Sequence, residues 1–244
     1  MSQYKSPEYI LTVDPPMSPP HPFPTRNYAL IFDVETTGLL SKNILSGKGV
    51  PLENIHDLPY ITQISFVLYN INDNRILRTY NQYIRLPKQV VIPDVVTKLT
   101  GITKDIGDDI GVDIVDALAH LNGAFRSCDR LVAHNLDFDA KMIEIEAARN
   151  HTRIIQRWGY SPRLCEIDYE LVRGIERHCT MKSSVDRCNI MVAGSYGKPY
   201  KKFPTLAELH QTLFGVIPDG LHDSMVDVIA CLDCYIILSQ RVPN

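Results

Sequence analysis

The feature that most constrains the fold is a short apolar run that ends in two acidic residues, Ala29-Leu30-Ile31-Phe32-Asp33-Val34-Glu35. Consecutive apolar residues of this kind predict a buried strand. Because side chains alternate along a strand, Asp33 and Glu35 point to the same face. Neighbouring carboxylates repel each other, so a cation such as Mg²⁺ or Mn²⁺ is expected between them. At this point the sequence leaves open a strand end that carries two solvated acids.

A second polar group, His134-Asn135-Leu136-Asp137-Phe138-Asp139, follows the apolar segment 131–133. The apolar segment predicts a short strand, and Asp137 or Asp139 begins the helix that follows. An acid in the first turn of a helix ordinarily caps it or interacts with its dipole. One aspartate satisfies that need, so the other is left for a different role.

A third group contains His222 and Asp227. Ser224 followed by Asp227 fits a capping box, which gives Asp227 a structural alternative. His222 precedes this helix in a polar segment, where a histidine can act as a general base near neutral pH.

In this order, the three groups resemble the motifs of the DEDDh exonucleases, the DnaQ-like group of the RNase H-like superfamily. The resemblance extends over about residues 28–238, and the second motif selects Asp139 rather than Asp137 as the acid of the site. The matching residues are Asp33, Glu35, Thr37-Gly38-Leu39, His134-Asn135, Phe138-Asp139, His222 and Asp227.

The resemblance implies an α/β fold with an RNase H-like mixed β-sheet flanked by helices. It also implies a metal-dependent 3′–5′ exonuclease that hydrolyses the terminal phosphodiester of single-stranded nucleic acid and releases nucleoside 5′-monophosphates. The catalytic residues that it implies are Asp33, Glu35, Asp139 and Asp227, which would hold two Mg²⁺ or Mn²⁺ ions, and His222 as the base. The substrate-binding residues that we predict with it are Thr36, Thr37, Gly38, Leu39, His134, Asn135, Lys198 and Lys202.

The two lysines come from a segment, 195–204, in which basic and aromatic residues alternate. Such a segment suits phosphate contact combined with base stacking. The alternative is a solvated loop in which Phe203 and Pro204 pack on the helix that follows.

Secondary-structure patterns predict strands at 28–34, 61–69, 75–85 and 131–133, and residues 179–181 resemble a strand that lies beside the site in the family. Helices are predicted at 93–100, 113–125, 167–177 and 206–214, the last with a capping box at Thr205 and Glu208. Residues 40–58 are an insertion relative to many relatives, placed beside the predicted site.

Domain organisation follows from length and proline content. A chain of 244 residues can bury one core, so we expect a proline-rich N-terminal arm at 1–26 and one exonuclease domain at 27–240. The net charge of −3 argues against a broad coat of nonspecific duplex DNA, but a short single strand needs only a local groove.

Location is predicted to be intracellular, either cytoplasmic or nuclear, with no membrane partner. The chain has no long apolar segment and no secretory signal pattern. Its six cysteines indicate reduced thiols. Cys231 and Cys234, with Cys179 and Cys188, could form a zinc site, but the apolar helical pattern around them favours core positions.

Three alternatives for the function stay open. DNA is the expected substrate, and an RNA-directed 3′–5′ exoribonuclease is the first alternative, because recognition of the 2′-hydroxyl depends on pocket geometry. A catalytically silent nucleic-acid-binding module is the second. The third is a proofreading subunit, for which the sequence names no polymerase or other protein partner.

Overall fold

The computed structural model describes residues 27–47, 49–194 and 197–240. The predicted arm at 1–26 lies outside these residues, so the domain boundaries stay predictions. The strands are β1 (Tyr28–Thr36), β2 (Ile61–Asn70), β3 (Arg75–Tyr83), β4 (Arg130–Ala133), β5 (Glu176–Cys179), β6 (Met191–Ala193) and β7 (Pro199–Lys201). The helices are α1 (Lys42–Ser46), α2 (Asp94–Thr100), α3 (Lys104–Ile110), α4 (Ile114–Phe125), α5 (Leu136–Arg149), α6 (His151–Trp158), α7 (Ile167–Arg173), α8 (Thr180–Ser183), α9 (Val185–Cys188), α10 (Leu206–Phe214) and α11 (Ser224–Ser239).

Five strands form one mixed sheet in the order β3-β2-β1-β4-β5. The first three strands pair antiparallel, whereas β4 is parallel to both β1 and β5. The turn between β2 and β3 ends at Asn74, whose φ of 49° is a conformation that asparagine tolerates better than most residues. This architecture confirms the predicted α/β fold with a mixed sheet flanked by helices.

The two faces of β1 pack against different helices. Leu30 and Phe32 belong to the core that includes α4 and α5, whereas Ala29 and Ile31 pack with α11. Alternation along the strand therefore directs Asp33 and Glu35 toward the side of the sheet that α11 covers.

The parallel strand β4 ends early, and this leaves room for a helix at the tip of β1. Strand β4 pairs with β1 only from Ala29 to Ile31. The next part of β1 lies beside the N-terminus of α5, where the backbone N–H of Val34 donates to Asp139 at 3.2 Å. A side chain thus supplies the acceptor that a longer β4 would have provided.

The insertion at 40–58 forms α1 and a 3₁₀ turn, Ile55–Asp57. The guanidinium of Arg149 donates hydrogen bonds to the backbone carbonyls of Ile55, Leu58 and Pro59 at 2.9–3.2 Å. This one side chain attaches the end of the insertion to α5.

Arg149 is itself held by a buried ion pair with Glu146. Glu146 also accepts the backbone N–H of Ile61 at 3.2 Å, where β2 begins. Its pKa is raised to about 7 by burial, and the charge of Arg149 opposes that rise. The pair therefore fixes the insertion and the start of β2 relative to α5, which carries Asp139.

Three predicted element boundaries differ from the structure. The strand expected at 179–181 is β5 at Glu176–Cys179, followed by α8. The helix predicted at 167–177 ends at Arg173, because Gly174 adopts a left-handed φ of 67°, and β5 follows at once. Strand β3 ends at Tyr83, two residues before the predicted bound.

Cys231 and Cys234 are buried in α11, and every cysteine in the described part of the chain is a free thiol. The core interpretation of Cys231 and Cys234 is therefore confirmed. None of the described helices has the length and apolar character needed to cross a bilayer.

Candidate active site

Asp33 is a partly buried acid of the site, and one of its carboxylate oxygens is fully buried. Its Oδ2 atom is one of two buried side-chain oxygen or nitrogen atoms among the described residues that lack a hydrogen-bond partner. The pKa of Asp33 is raised well above its usual value, first by burial and then by the charges of Asp139, Asp227 and Glu35. Burial of an ionised carboxylate without a partner is energetically unfavourable, so this oxygen is expected to carry a proton or to bind a cation.

Asp139 lies in the first turn of α5, and only 3% of its surface is exposed. The helix is entered through Asn135, which has a left-handed φ of 78°. Burial raises the pKa of Asp139 well above its usual range, although hydrogen bonds from the backbone of Val34 and Asp139 oppose the rise. The tight entry turn therefore delivers the carboxylate to the tip of β1.

The remaining acid of the site lies in the first turn of α11, so the way this helix is capped decides whether that acid is available. The N-cap of this helix is Asp223, whose Oδ1 accepts the N–H groups of Met225 and Val226 at 3.0 and 3.3 Å. The capping box predicted at Ser224 is therefore wrong. The Ser224 hydroxyl instead donates to the backbone carbonyl of Asp33 at 3.2 Å, which connects α11 to β1.

With the cap assigned to Asp223, Asp227 is free to face the site. Its carboxylate accepts the backbone N–H of His222 at 3.3–3.4 Å. His222 has a left-handed φ of 75° and is exposed. Ligand atoms of Glu35, His222 and Asp227 all lie within 4.8 Å of one another, the single such group of three found in the described residues.

The electrostatics of this cluster favour a positive charge. Burial, with the charges of Asp227 and Asp223, raises the pKa of Glu35 to about 8. Burial also raises the pKa of Asp227 to about 6, against the opposing effect of His222. The donor set is oxygen-rich, one buried oxygen has no partner, and the acids repel one another, so the residues fit a hard divalent cation.

Comparison with known families identifies the chain. The family model named for RNase T and described as exonuclease matches residues 30–235, which are most of the sequence. The chain belongs to the exonuclease family. This confirms the resemblance to the DEDDh exonucleases and assigns the protein to the nucleic-acid nucleases. No curated protein sequence gives a significant match.

Solved structures of exonuclease I, including complexes of the E. coli enzyme, have the same fold. The complex with a dT13 oligonucleotide has a TM-score of 0.59 at 17% identity, covering 88% of this chain and 41% of exonuclease I. The zinc-bound complex with single-stranded DNA has a TM-score of 0.60 at 17% identity, covering 89% and 41%. The product-bound structure has a TM-score of 0.59 at 16% identity, covering 88% and 44%. The chain thus spans about two-fifths of the length of exonuclease I.

The end of β1 and the loop after it carry four of the predicted substrate-binding residues of the exonuclease. Thr36 donates to the carbonyl of Gly38 at 2.7 Å, and the Thr37 hydroxyl accepts the N–H of Tyr60 at 3.0 Å. Leu39 is 86% exposed. The hydrogen-bonded turn that follows Glu35 therefore presents an exposed apolar side chain, and the predicted contact of Leu39 with substrate stays a prediction.

The His134 ring lies between α8 and the segment that precedes α10, and it is not on an open surface. One ring nitrogen lies 3.1 Å from the Thr180 hydroxyl, and the other lies 3.1 Å from the carbonyl of Pro204. Burial lowers the pKa of His134 to about 4, so the ring is neutral at physiological pH. These contacts give His134 a positioning role, and its predicted contact with substrate stays a prediction, as does that of Asn135.

Asp137 points away from the acids and forms an ion pair with Lys182 and a longer one of 3.8 Å with Arg177. It therefore has cationic partners of its own, and Asp139 is the acid of α5 that joins the site.

The predicted basic and aromatic residues lie on the β6–β7 hairpin and directly after it, except for residues 195 and 196, which lie outside the described residues. Lys202 is paired with Glu208 at 2.6 Å, and Lys198 is exposed. Phe203 is 56% exposed while Pro204 is buried, so the expectation that Phe203 packs on the next helix is wrong. Tyr200 is exposed to a similar degree, at 55%.

Two residues near the site were not predicted from the sequence. Asp223 was overlooked because Ser224 gave an equally good cap pattern. Gln63 lies opposite Glu35 in the β1–β2 pair and is buried. The sequence does contain an indication of Gln63, because a long polar residue interrupts a strand whose other residues are mostly apolar.

Proposed function

We propose that this exonuclease removes nucleotides from the 3′ end of single-stranded nucleic acid, using two divalent ions, and releases nucleoside 5′-monophosphates. One observation carries the proposal: Asp33, Glu35, Asp139 and Asp227 converge from β1, α5 and α11 around a buried carboxylate oxygen that has no partner. Four ionised carboxylates in one place are unfavourable unless cations are bound there.

The four carboxylates would hold the ions, and Mg²⁺ or Mn²⁺ suits these oxygen donors better than a thiolate-preferring ion does. When bound, the ions would activate water and neutralise the charge that develops on the phosphate and the leaving oxygen.

The remaining steps rest on residues of the chain itself. His222 lies within reach of Glu35 and Asp227 and is exposed, so its ring can accept the proton of the attacking water and return it to solvent. The exposed Leu39 would contact the terminal base and orient the phosphodiester toward the acids. Tyr200 on β7 and Phe203 just after it would stack on bases further from the end.

Single-stranded DNA is the first choice of substrate. The solved exonuclease I complexes contain dT13 and dA16 oligonucleotides, which favours DNA by similarity of fold. An RNA substrate would fit the same acids, because the chemistry at the phosphodiester is the same in both polymers.

The test is a gel assay with DNA and RNA oligonucleotides labelled at either end, incubated with Mg²⁺, Mn²⁺ or EDTA beside the Asp33→Ala variant. The proposal predicts an ion-dependent ladder from the 5′-labelled strand and immediate release of labelled mononucleotide from the 3′-labelled strand. Binding without cleavage of any substrate would instead indicate a catalytically silent module.

A further inference from the structure

Gln63 is a long polar side chain in the interior of the protein. It is 1% exposed, and every residue of β2 is buried. A buried polar side chain is retained at low cost only when its hydrogen bonds are satisfied, so its partners indicate its role.

The partners of Gln63 lie at the start of α11 and on β3. Its amide nitrogen donates to Asp223 Oδ2 at 3.2 Å and to Asn81 Oδ1 at 3.0 Å. Its amide oxygen accepts the backbone N–H of Ser224 at 3.3 Å. Gln63 is also the direct cross-strand neighbour of Glu35.

We propose that Gln63 is a positioning residue that holds the first turn of α11 against the tip of β1. Helix α11 brings Asp227, with His222 just before it, whereas β1 brings Asp33 and Glu35. The hydroxyl of Ser224 completes the connection by donating to the carbonyl of Asp33. This role rests on the proposed function in one respect, which is that the acids of β1 and α11 act together in one site.

The chemistry of the contact requires an amide. The same side chain must donate to a carboxylate and accept from a helix N–H, which leucine cannot do and which glutamate can do only in part. A glutamate at this position would also place a further carboxylate opposite Asp223 and beside Glu35, where repulsion would displace the helix.

Four variants test the proposal. Gln63→Leu removes all three side-chain hydrogen bonds, and Gln63→Glu keeps the shape but replaces the donating NH₂ group with an accepting oxygen. The double variant Gln63→Glu/Asp223→Asn exchanges amide and carboxylate, which restores a donor–acceptor pair and keeps an asparagine cap on α11. The matched control is Thr62→Val, at a neighbouring buried position that faces the other side of β2 and whose hydroxyl has no partner.

Three quantities are measured for each variant: kcat and KM on a single-stranded oligonucleotide, Mn²⁺ affinity by calorimetry without nucleic acid, and the thermal midpoint. We expect Gln63→Leu and Gln63→Glu to lower kcat by about 10- to 100-fold and weaken Mn²⁺ binding about tenfold or more, with KM little changed. The double variant should recover most of the loss of Gln63→Glu, and Thr62→Val should match the wild type.

Wild-type kcat and Mn²⁺ affinity in Gln63→Leu would overturn the proposal, as would a double variant no better than Gln63→Glu. If Gln63→Leu does not fold, the comparison of Gln63→Glu with the double variant decides. If the wild type cleaves no nucleic acid, the proposed function fails, and the calorimetric comparison still decides the role of Gln63.

Discussion

The ion-free protein is expected to lose stability as the pH rises from about 4.5 to about 8, and divalent ions should restore it. Glu35 is the clearest contributor, since burial and neighbouring acids raise its pKa from 4.5 to about 8. Between these values the folded protein holds a proton that the unfolded chain has released. The free energy of unfolding therefore falls with increasing pH and levels off above the folded pKa.

The size of the effect follows from the shift. Each tenfold difference in proton affinity corresponds to about 1.4 kcal/mol, so Glu35 alone sets an upper value of about 5 kcal/mol. Because solvent reaches part of the Glu35 side chain, the real contribution is smaller than this upper value. We expect the free energy of unfolding to fall by on the order of 3 kcal/mol between pH 5 and pH 8. A bound cation takes the place of the proton, so the stabilisation by Mg²⁺ should be larger at pH 8 than at pH 5.

The assay is urea unfolding at several pH values, in EDTA and in excess Mg²⁺. Glu35→Gln is the control, because it removes this acid and leaves the raised pKa values of Asp227 and Glu146 in place as background. The variant should show a flatter dependence on pH and a smaller response to Mg²⁺. Identical pH profiles with and without Mg²⁺, or a Glu35→Gln profile that follows the wild type, would refute the reasoning.

Three further predictions concern single side chains. His222→Ala should lower kcat by about 10²- to 10⁴-fold with KM little changed in steady-state kinetics, and an unaltered kcat would remove His222 as the base. In urea unfolding, Arg149→Met should lower the free energy of unfolding by about 3–5 kcal/mol, because it leaves Glu146 buried without its partner. The control Arg153→Met, at an exposed ion pair with Asp113, should lower it by about 1 kcal/mol or less. Phe203→Ala should raise KM for long oligonucleotides and leave the turnover of a mononucleotide p-nitrophenyl ester unchanged, and equal effects on both substrates would argue against a stacking role.

Much of the sheet could be predicted because its strands have clear local signals. The apolar runs of β1 and β2 and the asparagine-rich turn after β2 are local patterns, and the structure has them where expected. The capping box at Thr205 and Glu208 was also correct, since both of its hydrogen bonds form. Such features depend on residues close together in the sequence.

The errors occur where two local patterns compete or where the partner is distant in the sequence. Asp223 and Ser224 are both good N-cap residues, and Asp223 takes the cap because the Ser224 hydroxyl reaches the carbonyl of Asp33. The role of Gln63 depends on contacts with residues about 160 positions away. Strand β5 begins at Glu176, earlier than the strand expected at 179–181, because the helical pattern continued past Gly174 and only pairing with β4 fixes where the strand lies.

The central claim is that the four acids form one ion-dependent hydrolytic site. The most direct test measures the rate of nucleotide release for the wild type, Asp33→Asn, Asp139→Asn and the double variant, at saturating Mg²⁺. Each single variant should lose about 10²- to 10³-fold or more, and the double variant should be no worse than the single ones, because residues that act as a unit are not additive. Near-wild-type activity of Asp139→Asn, or losses that multiply in the double variant, would contradict the account.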